Sequence, residues 1–469
     1  MNNKKIKKNI ILVLLSQMFS IVVGLVLGFV VPKFIDELQY AYWQSFLLYY
    51  GYSSLLTFGL IDGFVLRYSN YDYEDLPRER VKAFFKALLL VAFFTSLVII
   101  VVSQFALTGH YKSVLLLVGV GAFIHTLWTY NYTILNTTNR ADKYARYVFV
   151  YRLSYLLIIV VLLLLKISNF IYYCIAEIIS EFLAFILSIR HNRGLYFGRA
   201  LPFKEAKKEL SLLFAGGIIL LLANFTGNFI VNGAKTIIEI KWDKLTFGAV
   251  SFGFSATNIF LTLVTTVSVV LFPSLKRIDE KNLPATYIKI RDSLTPLIFI
   301  CFIAYFPLRF VLNIWLPNYS ASLVYLGSLL PITYSISLAN LLTNNYFKAY
   351  RKEKIMLLIN LSCVAFGFLS YYFAWFFFKN VELIIFCVII ISFTRLYLSE
   401  FVIYKIMNKK MSLSIFFEVA ISVSFVLCNR YLGLYKCLVV YFFILVIYLI
   451  INQGKINYII NHFTQRKCQ

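Results

Sequence analysis

Charged residues are scarce in this sequence, and acidic residues are the scarcest. Only 14% of its 469 residues are charged, with 21 Asp or Glu against 45 Lys or Arg. Soluble proteins are about a quarter charged and about half apolar, whereas this chain is 61% hydrophobic with a mean hydropathy of +0.79. A soluble globular fold would expose more apolar surface than it could cover. The composition therefore predicts an integral membrane protein.

The motifs of soluble enzymes and metal sites are also absent. None of the seven cysteines forms a CxxC pair, and most lie in apolar runs, so we expect packing residues rather than disulfides or metal ligands. The four histidines show no HExxH spacing, and the sequence contains neither GxxxxGK[ST] nor a Gly-rich dinucleotide motif. The acidic segment DYED (72–75) is flanked by basic residues, which favours a solvated turn. We expect no metal and no cofactor.

Apolar runs between charged breaks predict about fourteen membrane-spanning helices. The first run follows four N-terminal lysines and is too long for the apolar core of a signal peptide, so we expect it to be retained. No segment between the runs is long enough to form a soluble domain. The predicted spans are 9–31, 40–66, 83–106, 112–137, 147–165, 168–189, 209–233, 245–273, 293–315, 321–347, 354–378, 382–404, 413–429 and 434–452.

The placement of lysine and arginine predicts the orientation. With the N-terminus in the cytoplasm, 34 of the 45 basic residues lie in or next to cytoplasmic segments and nine lie on the outer side. An excess of roughly four to one is the positive-inside pattern, which predicts that both termini are cytoplasmic. The net charge of +24 follows from this pattern and from attraction to anionic lipid headgroups, so we expect no nucleic-acid partner.

The longest polar stretch, 190–210, follows the sixth predicted span and is cytoplasmic. Because six is even, the segments on either side begin on the same side of the membrane, which favours two parallel six-helix repeats with a cavity between them. The predicted fold class is an all-α polytopic membrane protein with two six-helix lobes around a central cavity and two extra C-terminal helices. Its predicted parts are an N-terminal lobe (1–190), a cytoplasmic linker (191–208), a C-terminal lobe (209–408), and two additional helices with a cytoplasmic tail (409–469).

Several charged side chains fall inside or at the ends of predicted spans, where a central Arg or Glu costs about 2.5–3.5 kcal/mol. Such groups must face a partner or a water-filled cavity rather than lipid. Two interpretations are open: a polar lumen, or structural pairing such as Arg395 with Glu177 or Glu181. Near the cytoplasmic ends, a side chain could also snorkel to the headgroups. The residues concerned are Asp62, Arg67, Arg152, Glu177, Glu181, Arg309, Arg395, Glu400 and Glu418.

Three of these acids also suit ion coupling. A carboxyl group desolvated within the membrane can load and release protons, so Asp62, Glu177 and Glu181 are candidates for coupling transport to a proton or sodium gradient. His125 lies in the middle of a predicted span, where we interpret it as a hydrogen-bonded core residue, with a proton relay as the alternative.

Polar stripes run along three predicted helices. Side chains at i, i+4 and i+8 lie on one face of a helix. Such stripes either join helices through hydrogen bonds or line a wet cavity that binds sugar hydroxyls, and three stripes together with intramembrane arginines favour the cavity. The stripes are Asn224, Asn228 and Asn232; Ser251, Ser255, Asn258 and Thr262; and Ser337, Asn340 and Asn344.

Three stretches resemble the polysaccharide transporter (Wzx-type flippase) branch of the multidrug/oligosaccharidyl-lipid/polysaccharide (MOP) exporter superfamily. TFGLIDGFVLRYSN (57–70) is similar to that family's ending of helix 2, and VSVVLFPSLKRI (267–278) to its exit from helix 8. The third stretch covers the turn between helices 9 and 10 and helix 10 itself, LPNYSASLVYLGSLLPITYSISLANLLTNNYFKAYRKEK (316–354).

The resemblance implies a two-lobed, V-shaped transporter with a cationic central cavity. Its expected cargo is an undecaprenyl-pyrophosphate-linked oligosaccharide (an O-antigen, capsule or exopolysaccharide repeat unit), flipped from the inner to the outer leaflet by alternating access. Arg67 falls where related flippases carry a cavity arginine, and Lys276 and Arg277 match the basic end of helix 8. Peptidoglycan-precursor flippases carry arginine in helix 1, where this chain has only Lys33, so that role is disfavoured. No bond is broken, so no catalytic residues are expected.

The chemistry of the cargo selects the candidate residues. A desolvated pyrophosphate needs cations, and arginine binds its oxygens bidentately. The expected partners are the lipid-linked oligosaccharide, membrane lipids, and the polysaccharide polymerase and chain-length machinery, in a bacterial cytoplasmic membrane. The ion-coupling candidates remain the three acids named above. The candidate substrate-binding residues are Arg67, Arg152, Asn224, Asn228, Asn232, Lys276, Arg277, Arg309 and Arg395.

Other functions remain open from the sequence. A cation-coupled multidrug exporter of the same superfamily would need intramembrane acids but not cavity arginines. A membrane glycosyltransferase, polymerase or ligase acting on lipid-linked sugar would typically carry a large outer loop, and none is predicted here. A channel or a pure scaffold is a further alternative.

Overall fold

Helices make up all of the regular secondary structure in the described part of the chain. The computed structural model describes residues 16, 18–106, 108–138, 140–275, 282–411 and 414–453, with the backbone alone at 106, 141, 263–275 and 321. Within these residues, twelve helices are long and apolar enough to cross a membrane. A shorter apolar helix and an interrupted one precede them, and this confirms the predicted all-α polytopic fold with about fourteen helices.

The helices are numbered here in chain order, and each overlaps one predicted span. They are α1 (Met18–Phe34), α2 (37–68), α3 (Arg78–Ala106), α4 (Gly109–Thr137), α5 (Ala141–Leu164), α6 (Phe170–His191), α7 (Phe203–Lys241), α8 (Lys244–Leu275), α9 (Leu283–Trp315), α10 (320–349), α11 (Glu353–Phe378), α12 (Val381–Ile406), α13 (Ser414–Tyr431) and α14 (Leu434–Ile451). Residues 1–15, which hold the start of the first predicted span, lie outside the described residues.

The second helix is broken in the middle, which the sequence did not predict. Its α-helical part Glu37–Tyr50 passes into 3-10 turns at Gly51–Thr57. Phe58 and Gly59 then have φ values of 49° and 78°, and the α-helix resumes at Leu60. The Thr57 hydroxyl donates to the Ser54 carbonyl at 2.9 Å, a local bond that competes with the helical pattern.

Glycines allow the second half of α2 to touch α7 backbone to backbone. A Cβ atom built on Gly63 would lie 1.9 Å from the Leu213 carbonyl oxygen, and one built on Gly217 would lie 1.9 Å from the Gly59 carbonyl oxygen. Small residues permit such close approach of membrane helices, where dispersion contacts supply much of the association energy. This contact fixes α7 against α2.

The helices form two compact units, 1–248 and 249–469. In the first unit, α4 lies between α3 and α6, and α5 packs on α6. The first unit also contains α7, which was expected in the C-terminal lobe. The two units are defined by contacts between helices, whereas the predicted lobes are defined by a repeated order of helices along the chain. The predicted lobe limits therefore stay a prediction.

In the second unit, α10 is almost wholly buried and contacts α9, α12 and α13. The last two helices therefore belong to this unit: α13 packs on α10, and α14 packs on α13 and α9. Large apolar side chains are exposed along the outward faces of both units, including Phe93 and Phe94 on α3 and Phe442 and Phe443 on α14. Such faces suit contact with lipid.

Replacing Gly63 with alanine should separate α2 from α7. We expect Gly63→Ala to lower the free energy of unfolding by about 1–3 kcal/mol, because the new methyl group overlaps the Leu213 carbonyl oxygen. Gly51→Ala is the matched control in the same helix, since Gly51 has an ordinary helical φ of −60° and nothing within 4 Å of an added Cβ. Thermal unfolding in detergent measures both. Equal melting temperatures for the two variants would contradict the close contact.

Candidate functional site

The polar groups inside the spans form several separate clusters. Among the candidates from the sequence, Lys276 and Arg277 lie outside the described residues. The other seven substrate-binding candidates and the three ion-coupling candidates lie within the described residues.

Arg67 binds a carboxylate at the end of α2. Its Nε and Nη2 donate to the two oxygens of Glu209 on α7, at 2.6 and 3.1 Å. The Tyr68 hydroxyl also donates to Glu209, at 2.6 Å, and Arg80 lies 3.9 Å away. Glu209 is buried, while the Arg67 side chain keeps 38% of its surface exposed. A ligand at Arg67 must therefore compete with, or share the guanidinium with, Glu209.

The asparagine stripe of α7 lies on a face that is only partly covered. The Asn224 side chain donates to the Asp62 carboxylate at 3.3 Å, joining α7 to α2. The Asn228 side chain is exposed, and the backbone carbonyl of Asn232 accepts from the Tyr52 hydroxyl at 3.1 Å. The stripe thus uses one amide as an interhelical bond and leaves another on the surface of the unit.

A second carboxylate cluster lies at the far end of α7 and was not predicted. Glu239 accepts from Lys244 Nζ at 2.5 Å and from the hydroxyls of Ser45 at 3.1 Å and Tyr49 at 2.5 Å. Lys244 also lies 4.1 Å from the ring centre of Tyr111. Glu239 is buried, and one cation together with two hydroxyls binds both of its oxygens. This arrangement is complete and joins α2, α7 and the start of α8.

The two acids of α6 bind tyrosines and a histidine of their own unit. Glu181 accepts from the Tyr50 hydroxyl at 2.6 Å and lies 3.0 Å from Nδ1 of His125. Glu177, one turn earlier, accepts from the Tyr151 hydroxyl. His125 is therefore hydrogen-bonded, as we expected of a core histidine, and its partner is a carboxylate.

Arg152 lies beside the acids of α6. Its guanidinium stacks on the ring of Tyr151, with 4.6 Å from Cζ to the ring centre, and Nη1 donates to the Tyr151 hydroxyl at 3.3 Å. The guanidinium is thus attached to the same tyrosine that binds Glu177.

In the second unit, Arg291 binds two glutamates at once. Its Nε and Nη2 donate to Glu400 at 2.6 and 3.0 Å, and its Nη1 and Nη2 donate to Glu418 at 2.9 and 2.8 Å. Tyr334 donates to Glu418 at 2.7 Å, and Tyr287 to Glu400 at 3.3 Å. All three charged residues are at most 1% exposed. The triad joins α9, α12 and α13.

The sequence did not identify Arg291, because the predicted span began at 293 whereas α9 begins at Leu283. The spacing of Tyr287, Arg291 and Thr295, all buried on one face of α9, is the signal that could have placed it inside the helix. Glu400 and Glu418 were recognised as intramembrane charges but without this partner.

The two arginines expected in the C-terminal spans bind neutral groups. Arg309 donates through Nη1 to the Tyr305 hydroxyl at 2.8 Å and to the Asn429 amide oxygen at 2.5 Å. Arg395 is buried and donates through Nε to the amide oxygen of Asn360 at 2.8 Å. These bonds hold both guanidinium groups in place.

Arg395 also touches the polar stripe of α10. Its Nη2 lies 3.5 Å from the amide oxygen of Asn344, and the amide nitrogen of Asn344 donates to the amide oxygen of Asn340 at 3.1 Å. The stripe is therefore continuous with the arginine, and together they form a band of donors and amides across α10, α11 and α12. Within the described residues there is no group of three or more His, Cys, Asp or Glu side chains that could hold a metal ion.

Solved structures share this fold. Lipid II flippase MurJ in an inward closed conformation matches with a TM-score of 0.68 at 12% identity, over 95% of this chain and 98% of MurJ. An inward-facing multidrug resistance MATE family transporter of the MOP superfamily matches with a TM-score of 0.59 at 10% identity, over 84% of this chain and 96% of its own. A MOP superfamily transporter from Pyrococcus furiosus matches with a TM-score of 0.51 at 10% identity, over 86% and 97%.

No protein-family model matches the sequence, and no curated protein does. At these identities the structural likeness shows the fold alone. The chain therefore has the fold of MOP superfamily transporters, as the sequence resemblance implied, while the polysaccharide transporter branch stays a prediction.

Removing Arg291 should destabilise the second unit strongly. We expect Arg291→Met to lower the free energy of unfolding by about 3–5 kcal/mol, because two buried carboxylates lose their cation. Arg430→Met is the control: Arg430 pairs with Glu382, both side chains are about one-third exposed, and such pairs contribute about 1 kcal/mol or less. Thermal unfolding in detergent compares the two.

The same experiment separates lost charge balance from lost packing. Adding Glu400→Gln and Glu418→Gln to Arg291→Met removes the uncompensated carboxylates, so most of the lost stability should return. If the triple variant is as unstable as Arg291→Met alone, the triad stabilises the unit through side-chain packing and not through the balance of its charges.

Proposed function

We propose that this protein is a flippase that moves a lipid-linked oligosaccharide, carried on undecaprenyl pyrophosphate, from the inner to the outer leaflet of a bacterial cytoplasmic membrane. One observation carries the proposal: the likeness to a lipid II flippase extends over 95% of this chain and 98% of MurJ, whereas the MATE family transporter and the Pyrococcus furiosus transporter cover 84% and 86% of this chain. The neighbours are transporters and not enzymes, which supports a function without catalytic residues.

The positive charges in the second unit support an anionic cargo. Arg309 donates to a hydroxyl and an amide oxygen, and Arg395 donates to an amide oxygen, so these contacts fix the positions of both guanidinium groups. Phosphate oxygens are strong acceptors that bind guanidinium groups bidentately. Arg67, Arg152, Lys276 and Arg277 complete the set of cations that we propose for the pyrophosphate.

The polar stripes support a sugar head. The amides of Asn224, Asn228 and Asn232 on α7 provide both donors and acceptors on a partly exposed face. Sugar hydroxyls need such groups at many positions, because each hydroxyl is both a donor and an acceptor. The isoprenoid tail remains in lipid while the head crosses, and alternating access of the two lobes completes the transfer.

The cargo we propose differs from that of MurJ. The first helix of this chain lacks the arginine that peptidoglycan-precursor flippases carry there. Lys33, near the end of the helix, is the one Lys or Arg in its described part. We therefore propose an oligosaccharide repeat unit for a surface polymer. The polymerase and chain-length machinery that would use such a product are its proposed partners.

A multidrug exporter is the second candidate, and two observations favour it. MATE transporters share the fold, and Glu177 and Glu181 are buried acids of the kind that a cation-coupled exporter needs. A drug cation would not need Arg309 and Arg395, so transport assays of arginine variants distinguish the two functions.

Neutralising either arginine should slow flipping. We expect Arg309→Gln and Arg395→Gln to reduce transport of a labelled lipid-linked oligosaccharide in proteoliposomes by about 10- to 100-fold, since a hydrogen bond to a charged group contributes about 1.5–3 kcal/mol. Arg309→Lys should retain part of the activity, because it keeps the charge but not the planar fork.

The control for this experiment is Arg351→Gln. Arg351 is exposed in the turn between α10 and α11, and its loss should leave transport unchanged. Protein level and melting temperature are measured for every variant. Full transport by Arg309→Gln and Arg395→Gln at normal protein level would remove both residues from the proposed site. Transport of cationic drugs but not of the lipid would favour the exporter.

A further inference from the structure

The acids of α6 lie in a cluster with unsatisfied polar atoms. Glu181 is 3% exposed and Glu177 is 8% exposed. Within the described residues, three buried atoms around Glu177 have no hydrogen-bond partner: Glu177 Oε2, Arg152 Nε and the Tyr155 hydroxyl. Unpaired buried polar atoms are costly. Here they lie together on facing helices, which distinguishes the cluster from a set of isolated packing defects.

The best-connected part of the cluster is the pair formed by His125 and Glu181. Nδ1 of His125 lies 3.0 and 3.2 Å from the two oxygens of Glu181. The Tyr50 hydroxyl donates to Glu181 at 2.6 Å, and its ring lies 5.0 Å from the His125 ring, centre to centre. The His125 side chain is 27% exposed and that of Glu181 is 4% exposed, so the imidazole is the more accessible end of the pair.

The charges of the cluster do not balance without a proton. Glu177 and Glu181 contribute two negative charges and Arg152 contributes one positive charge. With a neutral His125, the cluster carries −1 in a region of low dielectric; with one added proton, it is neutral. A net charge buried in a membrane span costs several kcal/mol, so the cluster is suited to hold one proton.

We propose that the His125–Glu181 pair is a proton-binding site that takes up one proton, and that loading and release of this proton drives the flipping cycle. The coupling part rests on the proposed function, whereas proton binding itself does not. The proton enters at the imidazole and is shared with the carboxylate, which changes the charge of the pair from −1 to 0.

Three helices pack against α6, and each contributes groups that face the pair or Glu177. The contributing helices are α2, α4 and α5, with Cys174 on α6 itself. Tyr50 and Tyr151 donate hydrogen bonds, and Arg152 is the one permanent cation among the groups identified here. The complete set is Tyr50, His125, Tyr151, Arg152, Tyr155, Cys174, Glu177 and Glu181.

The other buried acids of the first unit lack these features. Glu239 has Lys244, and Glu209 has Arg67 with Arg80 3.9 Å away, so each acid has at least one cation of its own. In the second unit, Arg291 also faces two carboxylates, but the four carboxylate oxygens all accept hydrogen bonds and no histidine takes part. Glu239 is therefore the matched control for Glu181: it is equally buried and accepts a tyrosine hydroxyl, but has its own cation.

Proton uptake by the purified protein tests the binding site without any substrate. Between about pH 8 and pH 5, the range in which histidine titrates, His125→Gln and Glu181→Gln should each take up one proton fewer than the wild type. The double variant should also take up one fewer, because the two residues share a single proton. Glu239→Gln should match the wild type.

Two results would overturn the site. If the double variant takes up two protons fewer, the residues titrate independently; if neither single variant differs from the wild type, the pair binds no proton in this range. Should Glu181→Gln fail to fold, His125→Gln and the imidazole signals of isotope-labelled wild type carry the same test, with His125→Gln identifying the His125 signal.

Coupling is tested in proteoliposomes. An imposed pH gradient should accelerate flipping of the lipid-linked oligosaccharide by the wild type and by Glu239→Gln, and leave flipping by Glu181→Gln unchanged. Acceleration by a sodium gradient in place of the pH gradient would overturn proton coupling. Normal proton uptake with no flipping by the wild type would instead contradict the proposed function and leave the proton site standing.

Discussion

A charge inside a bilayer must be bonded to a partner or to water, and this constraint organises the structure. In this protein it is met in two ways. Arg67 and Lys244 each bind one carboxylate and Arg291 binds two, and these contacts join helices. Arg309 and Arg395 donate hydrogen bonds to the amide oxygens of Asn429 and Asn360. The contacts with carboxylates stabilise each unit, and Arg309 and Arg395 are among the cations that we propose for transport.

The ion pairs between helices also explain how segments far apart in the sequence pack into one unit. Arg291 reaches glutamates 109 and 127 residues later in the chain, and Arg67 reaches Glu209, 142 residues away. Contacts between apolar side chains alone do not determine which membrane helices pack together, because lipid is equally apolar. Buried ion pairs and glycine contacts make the packing specific, and the bonds from Arg291 to Glu418 join α13 to α9.

Sequence patterns predicted the helices but not their polar contacts. Run length and the placement of basic residues fix where the chain can cross the membrane, and all fourteen predicted spans match helices. The break in α2 could not be predicted, because it depends on a positive φ at Phe58 and on a local bond of Thr57. The partners of Arg67 and Glu239 on other helices could not be predicted either, because no local sequence pattern links residues so far apart. Arg291 was not predicted to lie within a helix, because α9 begins at Leu283, ten residues before the predicted start of the span at 293.

The central claim is that fixed cations inside the spans select an anionic head, and the charge of the cargo tests it most directly. Wild-type protein in proteoliposomes is offered two labelled lipids with the same oligosaccharide and the same isoprenoid chain, one joined by pyrophosphate and one by a neutral linkage. The account predicts that only the pyrophosphate lipid is flipped at an appreciable rate. Equal flipping of both lipids would contradict it.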